Sequence, residues 1–429
     1  MRLFGTSGIR RLVDKDLLQL AFQVGLAVGT RYDRVLVGRD TRTSGNALSH
    51  SLISGLLSAG ARCSDAGVIP TPTVGYGARE FKAGLMLTAS HNPPQYNGIK
   101  MLNPDGSAFS EYQQNEIQSL IESGLLTSAR WDKLHDVESY DAAAEKHVAR
   151  IIDDFPNNLA LRVVVDGGGG AGCFITPYLM EKLGCEVIRI NCRATGMFPR
   201  DAEPIAANLG DLMDTVRREK ADLGIAHDGD ADRMMAVDDR GRFIPGDKML
   251  AILANASGTK RVVTTIDASM AIEEMGFTVR RTKVGDPYVS EELKSGGDFG
   301  GEPSGAWVFP RISLCPDGIY AAAQVASIAK QTRLSSLVDS ISVYPVKRGG
   351  VSSVDVDLSR LELRLLAKNP LILDKTDGYR LSFADGWLLV RPSGTEPKIR
   401  ISAEAKTETR VEELYQIGVR GVEEARVTT

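Results

Sequence analysis

Three apolar, β-branched runs open on a basic residue and close on an acidic turn: Arg34-Val35-Leu36-Val37-Gly38-Arg39-Asp40, Arg162-Val163-Val164-Val165-Asp166-Gly167 and Arg261-Val262-Val263-Thr264-Thr265-Ile266-Asp267. Each passes into a helical pattern, the alternation that predicts layered α/β structure. The runs lie ~100 residues or more apart, roughly one domain each, so they predict three copies of a similar α/β unit. Solenoid repeats recur every 20 to 50 residues or so, a much shorter period.

Breaker clusters divide the chain. Phe155-Pro156-Asn157-Asn158 follows a helical stretch, Pro245-Gly246-Asp247 precedes an apolar helix through Leu250 and Leu253, and Val346-Lys347-Arg348-Gly349-Gly350 follows another helical segment. Beyond Val351 the pattern turns to strand alternation, then Trp387-Leu388-Leu389-Val390, a polar loop, Ile399-Arg400-Ile401-Ser402 and a closing helix. This predicts α/β domains over 1–155, 156–246 and 247–346 and a smaller α+β domain over 347–429.

The length of 429 residues, at ~150 per domain, fits this division better than a minimal binding module. With 43% hydrophobic and 25% charged residues the chain is expected to fold throughout. A net charge of -4 provides no long-range field for nucleic acid. Five dispersed cysteines without a C-x-x-C pair, and five histidines without H-E-x-x-H, predict a reduced protein lacking a zinc site of ordinary spacing. No signal-peptide pattern and no apolar run near ~20 residues is found, so a cytoplasmic protein without a membrane span is expected.

Candidate chemistry sits in the loops. Thr88-Ala89-Ser90-His91-Asn92-Pro93-Pro94-Gln95-Tyr96-Asn97-Gly98-Ile99-Lys100 follows an apolar run; its two prolines forbid a helix and Asn97-Gly98 predicts a tight turn. Ser90 is a candidate nucleophile, with His91 and Lys100 able to supply base and cation. Asp228-Gly229-Asp230-Ala231-Asp232-Arg233 places three carboxylates at alternate positions, an oxygen-only set suited to Mg²⁺ or Ca²⁺. An EF-hand fails, because Arg233 stands at the sixth position and Asp239 at the twelfth. Gly301-Glu302-Pro303-Ser304-Gly305 offers groups for sugar hydroxyls. Arg391-Pro392-Ser393-Gly394-Thr395-Glu396-Pro397-Lys398-Ile399-Arg400 describes an oxyanion nest suited to a phosphate monoester; Gly5-Thr6-Ser7-Gly8-Ile9-Arg10 is a smaller version. Gly167-Gly168-Gly169-Gly170-Ala171-Gly172 satisfies G-x-G-x-x-G with Glu186 about 20 residues on, but so glycine-rich a run matches almost automatically and reads as a tight strand-to-helix turn.

Taken together, these loops resemble the α-D-phosphohexomutase family, whose members interconvert hexose 6-phosphates and 1-phosphates. The likeness runs from F-G-T-S-G-I-R to R-P-S-G-T-E-P, with the loops in the family order. It implies three related α/β/α domains with mixed sheets plus a smaller α+β C-terminal domain around a central cleft. It implies that Ser90 carries a phosphoryl group and, with Asp228, Asp230 and Asp232, holds one Mg²⁺. Arg10, Arg39, His91, Lys100 and Arg233 would line the reacting phosphate, His91 and Lys100 being candidates for proton transfer. Lys283, Glu302, Ser304 and Gly305 would meet the sugar, while Arg391, Ser393, Gly394, Thr395 and Arg400 would hold the other phosphate. The cycle passes through a hexose 1,6-bisphosphate, so the partner is a small sugar phosphate, and a monomer or homodimer suffices.

Two departures bear on the sugar. Arg11 stands where many members continue G-I-R-G, and Gly301-Glu302-Pro303-Ser304-Gly305-Ala306-Trp307 replaces the G-E-Q-S-G-H of bacterial glucosamine-phosphate members. Pro303, Ala306 and Trp307 look more like archaeal members assigned to glucosamine phosphate, which makes that the expected substrate, with mannose or glucose phosphate as the alternative. The absence of any Gly-Lys dipeptide argues against a P-loop kinase. A non-catalytic sugar-phosphate sensor would keep Glu302 and Arg391 but have no use for Ser90.

Overall fold

The three basic-led runs are strands, Arg34–Arg39, Arg162–Asp166 and Arg261–Thr265. Each pairs in parallel with the next strand in sequence: Arg62–Val68, Glu186–Ile190 and Thr278–Thr282 respectively. Parallel neighbours require a crossover, and helices Gly45–Ser58, Gly172–Lys182 and Ala271–Glu274 supply it. The computed structural model describes residues 3–124, 126, 128–393 and 397–427. The chain divides into two units, one of residues 1–259 with 285–339 and one of residues 260–284 with 340–429.

In the first unit, a six-stranded sheet runs in the order Ile9–Leu12, Tyr96–Leu102, Ala83–Leu87, Arg34–Arg39, Arg62–Val68, Val137–Ser139. Its first two pairings are antiparallel and the rest parallel. The central strand Ala83–Leu87 is buried along its whole length, as expected of a strand covered on both faces. Helices Lys15–Arg31 and Gly45–Ser58 approach closely because Gly25 and Gly55 face backbone; a Cβ on either would lie 2.1 Å from a carbonyl oxygen. A second mixed sheet runs Met234–Val237, Leu223–His227, Arg162–Asp166, Glu186–Ile190. The antiparallel pair Phe299–Gly301 and Trp307–Val308 carries the Glu302 loop.

In the second unit, a five-stranded antiparallel sheet runs Val346–Ser352, Lys398–Ala405, Gly386–Pro392, Tyr379–Phe383, Ile372–Asp374. Helices Leu358–Leu366 and Glu408–Glu424 cover it through Leu361, Leu365, Val411 and Leu414. Two local readings are corrected here. Val346–Gly350 is an edge strand rather than a breaker, and its glycine admits a neighbour: a Cβ on Gly349 would meet Tyr415 Oη at 2.1 Å. The alternation beyond Val351 gives way to helix Leu358–Leu366, whose Leu361 and Leu365 lie one turn apart on the buried face.

A third correction concerns Asn97-Gly98, which lies inside strand Tyr96–Leu102 and is not a turn. Gly98 is required by close approach, since a Cβ there would sit 1.9 Å from Ile9 O on the neighbouring strand. The run Gly167–Gly170 is a strand-to-helix turn packed on the aspartate loop. A Cβ on Gly170 would lie 2.5 Å from Gly229 O, which also accepts a 2.9 Å hydrogen bond from Ala171 N–H. Its backbone is engaged by the chain itself, with Thr41 Oγ1 donating to Gly169 O at 2.7 Å. Among the described residues no helix is long and apolar enough to cross a membrane.

These contacts predict contrasting glycine substitutions. Gly98→Ala must displace strand Ile9–Leu12 and is expected to lose about 1–3 kcal/mol by thermal or urea melting. Gly210→Ala, where nothing lies within 4 Å of the added methyl, should be neutral or stabilising by up to about 1 kcal/mol.

Candidate active site

Strand Ala83–Leu87 ends in the serine loop, as its sequence predicts. Ser90 adopts φ 51°, the left-handed region that a non-glycine residue enters only when its surroundings enforce it. Its N–H donates to Thr88 Oγ1 at 2.8 Å, and its Oγ donates to Asp228 Oδ2 at 2.6 Å. His91 Nδ1 lies 3.3 Å from the same Oγ.

The enforcing residue is one the sequence reading missed. Arg42, with no side-chain exposure, donates from Nη2 to Ser90 O and Asn92 O at 2.9 and 2.7 Å, and from Nη1 to Pro93 O and Tyr96 O at 2.7 and 2.8 Å. Its Nε pairs with Asp40 Oδ2 at 3.0 Å, and Thr88 Oγ1 donates to the same oxygen at 2.6 Å. Burial raises Asp40 to about 6, even against Arg42 and Thr88, so at neutral pH the pair is charged. Arg39, expected at the reacting phosphate, lies 3.5 Å from Asp65 in an ion pair. The arginine of this turn that reaches the serine loop is Arg42, whose signal was the polar run Asp40-Thr41-Arg42-Thr43-Ser44 directly after a strand.

The aspartate loop follows strand Leu223–His227 and turns at Ala231, φ 55°. Asp228, Asp230 and Asp232 are all buried, and each can offer an oxygen within 4.8 Å of the others. Lys100 Nζ donates to Asp230 Oδ2 at 2.6 Å and also to Asp232 Oδ2. Thr71, also missed from sequence, donates its hydroxyl to Asp230 Oδ2. Arg233 N–H donates to Asp228 Oδ1 at 3.2 Å, and its guanidinium lies 3.4 Å from Glu203. Arg10 Nη1 donates to Asn92 Oδ1 at 3.2 Å.

Burial and opposing charge divide the titrations. Burial, then Asp232 and Asp230, pushes Asp228 well above the usual carboxylate value. Burial would raise Asp230 as well, but Lys100 holds it below its ordinary value. Burial would lower Lys100, yet Asp230 and Asp232 hold it charged well above the lysine range. His91 is pushed down to about 3 by burial, Arg233 and Arg10, so its imidazole is neutral at neutral pH.

The residues present fit a hard divalent cation. Asp230 Oδ1 and Asp232 Oδ1 are buried without a hydrogen-bond partner, an arrangement that costs free energy unless something positive meets those oxygens. An all-oxygen donor set close to a serine hydroxyl matches Mg²⁺ chemistry.

The Glu302 loop is tied to the aspartate loop by backbone. Met234 N–H donates to Gly305 O at 3.0 Å, Ala306 bridges Arg233, and Gly305 takes φ 102°. Glu302 Oε1 accepts from Gly285 N–H at 2.8 Å, and Ser304 Oγ donates to Oε2 at 3.3 Å. Trp307 is buried and donates Nε1–H to Met234 O at 2.7 Å. Trp307 thereby ties the hairpin to strand Met234–Val237.

Lys283 and the arginine loop belong to the second unit. Lys283 follows strand Thr278–Thr282. Arg391 and Arg400 stand directly opposite each other across an antiparallel pair, which puts two guanidinium side chains on one face. Arg391 pairs with Asp377 at 2.9 Å, a partner not read from sequence. Ser393 N–H donates to Lys398 O at 2.8 Å, closing the hairpin base. Gly394 and Thr395 lie outside the described residues.

Comparison with known proteins gives matches along nearly the whole chain. The phosphoglucomutase/phosphomannomutase α/β/α domain I matches residues 1–127, domain II 144–241, domain III 245–344 and the C-terminal domain 354–416. A "probable phosphoglucosamine mutase" of Methanocella arvoryzae is 45% identical over 426 residues, 97% of this chain and 96% of that protein. The phosphoglucosamine mutase of Methanococcus maripaludis is 40% identical over 442 residues, 98% of each chain. The solved structure of a phosphoglucomutase/phosphomannomutase family protein from Burkholderia thailandensis superposes with a TM-score of 0.88 at 26% identity, over 99% of this chain and 97% of that one.

The Arg42 clamp generates a test independent of substrate. Arg42→Lys keeps a cation beside Asp40 but cannot fork to four carbonyls, and amide exchange across 90–96 should accelerate by about tenfold or more. Arg42→Ala leaves Asp40 buried and uncompensated and should cost about 3–5 kcal/mol on melting. Unchanged exchange in Arg42→Lys would remove the clamp from the account.

Proposed function

The chain belongs to the phosphoglucomutase/phosphomannomutase family, and from that premise we propose that it interconverts glucosamine 6-phosphate and glucosamine 1-phosphate through a phosphoserine at Ser90 and a 1,6-bisphosphate. The observation that carries this reading is the buried Ser90 hydroxyl, 2.6 Å from a carboxylate of a three-aspartate cluster with two unpartnered oxygens. A Mg²⁺-dependent phosphatase has less need for a second, distant phosphate clamp, and a non-catalytic sugar-phosphate sensor has no use for Ser90.

In the cycle, Ser90 passes its phosphoryl group to the free hydroxyl of the sugar phosphate, the bisphosphate turns around, and Ser90 recovers the other phosphoryl group. Phosphoryl transfer depends mainly on alignment and on neutralising charge at the equatorial oxygens. Asp228, Asp230 and Asp232 would hold Mg²⁺, which when bound supplies that neutralisation as a Lewis acid. Lys100, kept charged by its aspartates, serves as a fixed cation. Neutral His91, beside Ser90 Oγ, is placed to take the proton of the attacking hydroxyl, and a phosphate dianion there would raise its proton affinity. Arg10 and Arg233 complete the positive lining. Glu302 and Ser304, with Lys283 and the Gly305 turn, would read sugar hydroxyls.

Arg391 and Arg400, with Ser393, Gly394 and Thr395, would hold the phosphate that is not reacting. Standing opposite each other on one sheet face, the two guanidinium groups could both reach a single anion. Glucosamine is the proposed sugar because the relatives at 45% and 40% identity carry that name. The proposal includes a cytoplasmic site of action and a monomer or homodimer.

Ser90→Ala is expected to abolish bisphosphate-dependent turnover, and intact-mass analysis of the unmodified chain should find one phosphate on Ser90. A Ser90→Ala variant with full mutase activity would overturn the mechanism. Comparing kcat/KM on glucosamine, mannose, glucose and N-acetylglucosamine phosphates should rank glucosamine first; mannose or glucose first would overturn the sugar assignment and leave the mechanism standing.

A further inference from the structure

Two thiols meet at the start of the glycine turn that backs the aspartate loop. Cys173 lies in the first turn of helix Gly172–Lys182, and Cys192 follows strand Glu186–Ile190. Their sulfurs flank one face of Gly167, where an added Cβ would lie 2.6 Å from Cys173 Sγ and 3.1 Å from Cys192 Sγ. Both sulfurs therefore converge on the same point beside Gly167. Cys173 Sγ also donates to Asn191 O at 3.5 Å, and Cys192 Sγ to Val165 O at 3.6 Å.

Cys192 differs from the other cysteines in access, Cys173 being buried like the rest. Cys63, Cys185 and Cys315 are buried, and burial pushes Cys63 up to about 12 and Cys185 up to about 11, so they stay as inert thiols. Cys192 is partly exposed and lines a surface cavity of about 500 Å³ with Arg189, Arg193 and Met197. The neighbouring Cys173 thiol, then the Gly167 backbone and, less, Arg189 hold Cys192 below the usual thiol value against burial, while Cys192 and burial push Cys173 up. A partly exposed, low-pKa thiol with a second thiol against it is the arrangement of a redox-responsive cysteine.

We propose that Cys173 and Cys192 form a redox-active dithiol that hydrogen peroxide closes to a disulfide, and that closure lowers activity by displacing the glycine turn behind the aspartate loop. Cys192 thiolate attacks the O–O bond; one oxygen joins sulfur as a sulfenic acid, and the other leaves as hydroxide and is protonated to water. Cys173 sulfur, losing its proton, then attacks Cys192 sulfur; the S–S bond forms, the S–O bond breaks, and a second water leaves. Two thiols lose two electrons and two protons, and the peroxide is reduced to two waters.

The coupling runs through backbone. The sulfurs must close to about 2.05 Å, which draws Cys192 and its neighbours toward the helix start. Gly169 N–H donates to Asn191 O at 2.7 Å and Gly167 N–H to Ile190 O at 3.3 Å, so the turn follows that segment. Gly170 has no space against Gly229 O, and Ala171 is bonded to it; the displacement therefore reaches the segment between Asp228 and Asp230.

The bond itself is independent of the proposed mutase function, and only the activity readout rests on it. The full chain, treated with hydrogen peroxide and then alkylated in denaturant, should yield a Cys173–Cys192 linked peptide, with Cys63, Cys185 and Cys315 alkylated. In parallel, kcat/KM should fall about tenfold, as for a misaligned site, and return with dithiothreitol, while Cys192→Ser and Cys192→Ala keep their activity through the same treatment. Without measurable turnover, a dithiothreitol-reversible shift in melting temperature and in amide exchange across 228–232 reports the displacement. The absence of the linked peptide, or equal inactivation of the Cys192 variants, would overturn the proposal; a linked peptide with unchanged activity, melting and exchange would overturn the coupling.

Discussion

Three buried carboxylates within reach of one cation are the constraint from which the rest of the first unit follows. Asp228, Asp230 and Asp232 cannot stay ionised together in the interior without compensation, since each buried ion carries a desolvation cost of several kcal/mol or so. Lys100 meets two of them, and Arg10 and Arg233 add positive charge nearby. The compensation is incomplete, because Asp230 Oδ1 and Asp232 Oδ1 have no partner. That unmet negative charge is what a cation held by the loop would meet, beside the Ser90 hydroxyl on Asp228.

Holding such a cluster requires backbone that would not choose these conformations alone. Ser90 and Ala231 both sit at positive φ, and the cost, of order 1–3 kcal/mol each, is offset by rigid surroundings. Arg42 ties four carbonyls of the serine loop, Gly170 and Ala171 brace Gly229, and the Trp307 hairpin braces Met234. Each brace lies beside a reacting group rather than at it. Small changes in these supports would move Ser90 relative to the carboxylates, and in-line transfer is sensitive to such alignment.

The candidate loops are legible in the sequence because their chemistry is local. Alternate aspartates, a serine before two prolines and an arginine-rich hairpin each gather their polar groups within ten or so residues. The three parallel strand pairs were equally readable from their basic-led apolar runs. What was not legible depends on contacts between distant segments. Asn97-Gly98 has the composition of a turn, yet Gly98 serves the close approach of Ile9. Arg42 lies among ordinary polar turn residues, and its role appears only when the loop some 50 residues later is seen around it. Asp377, Thr71 and Glu203 likewise act on residues far along the chain. The burial of Trp307 against Met234 was likewise not legible in its local sequence.

The central claim is that the aspartate triad is a single cation site, and direct Mg²⁺ binding tests it most plainly. Calorimetric titration of the purified chain should show a single Mg²⁺ per molecule with a matching rise in melting temperature. The Asp230→Asn/Asp232→Asn double variant, its fold checked by circular dichroism, should bind none at the same concentrations. Equal binding by the variant, or no binding by the unmodified chain, would contradict the account.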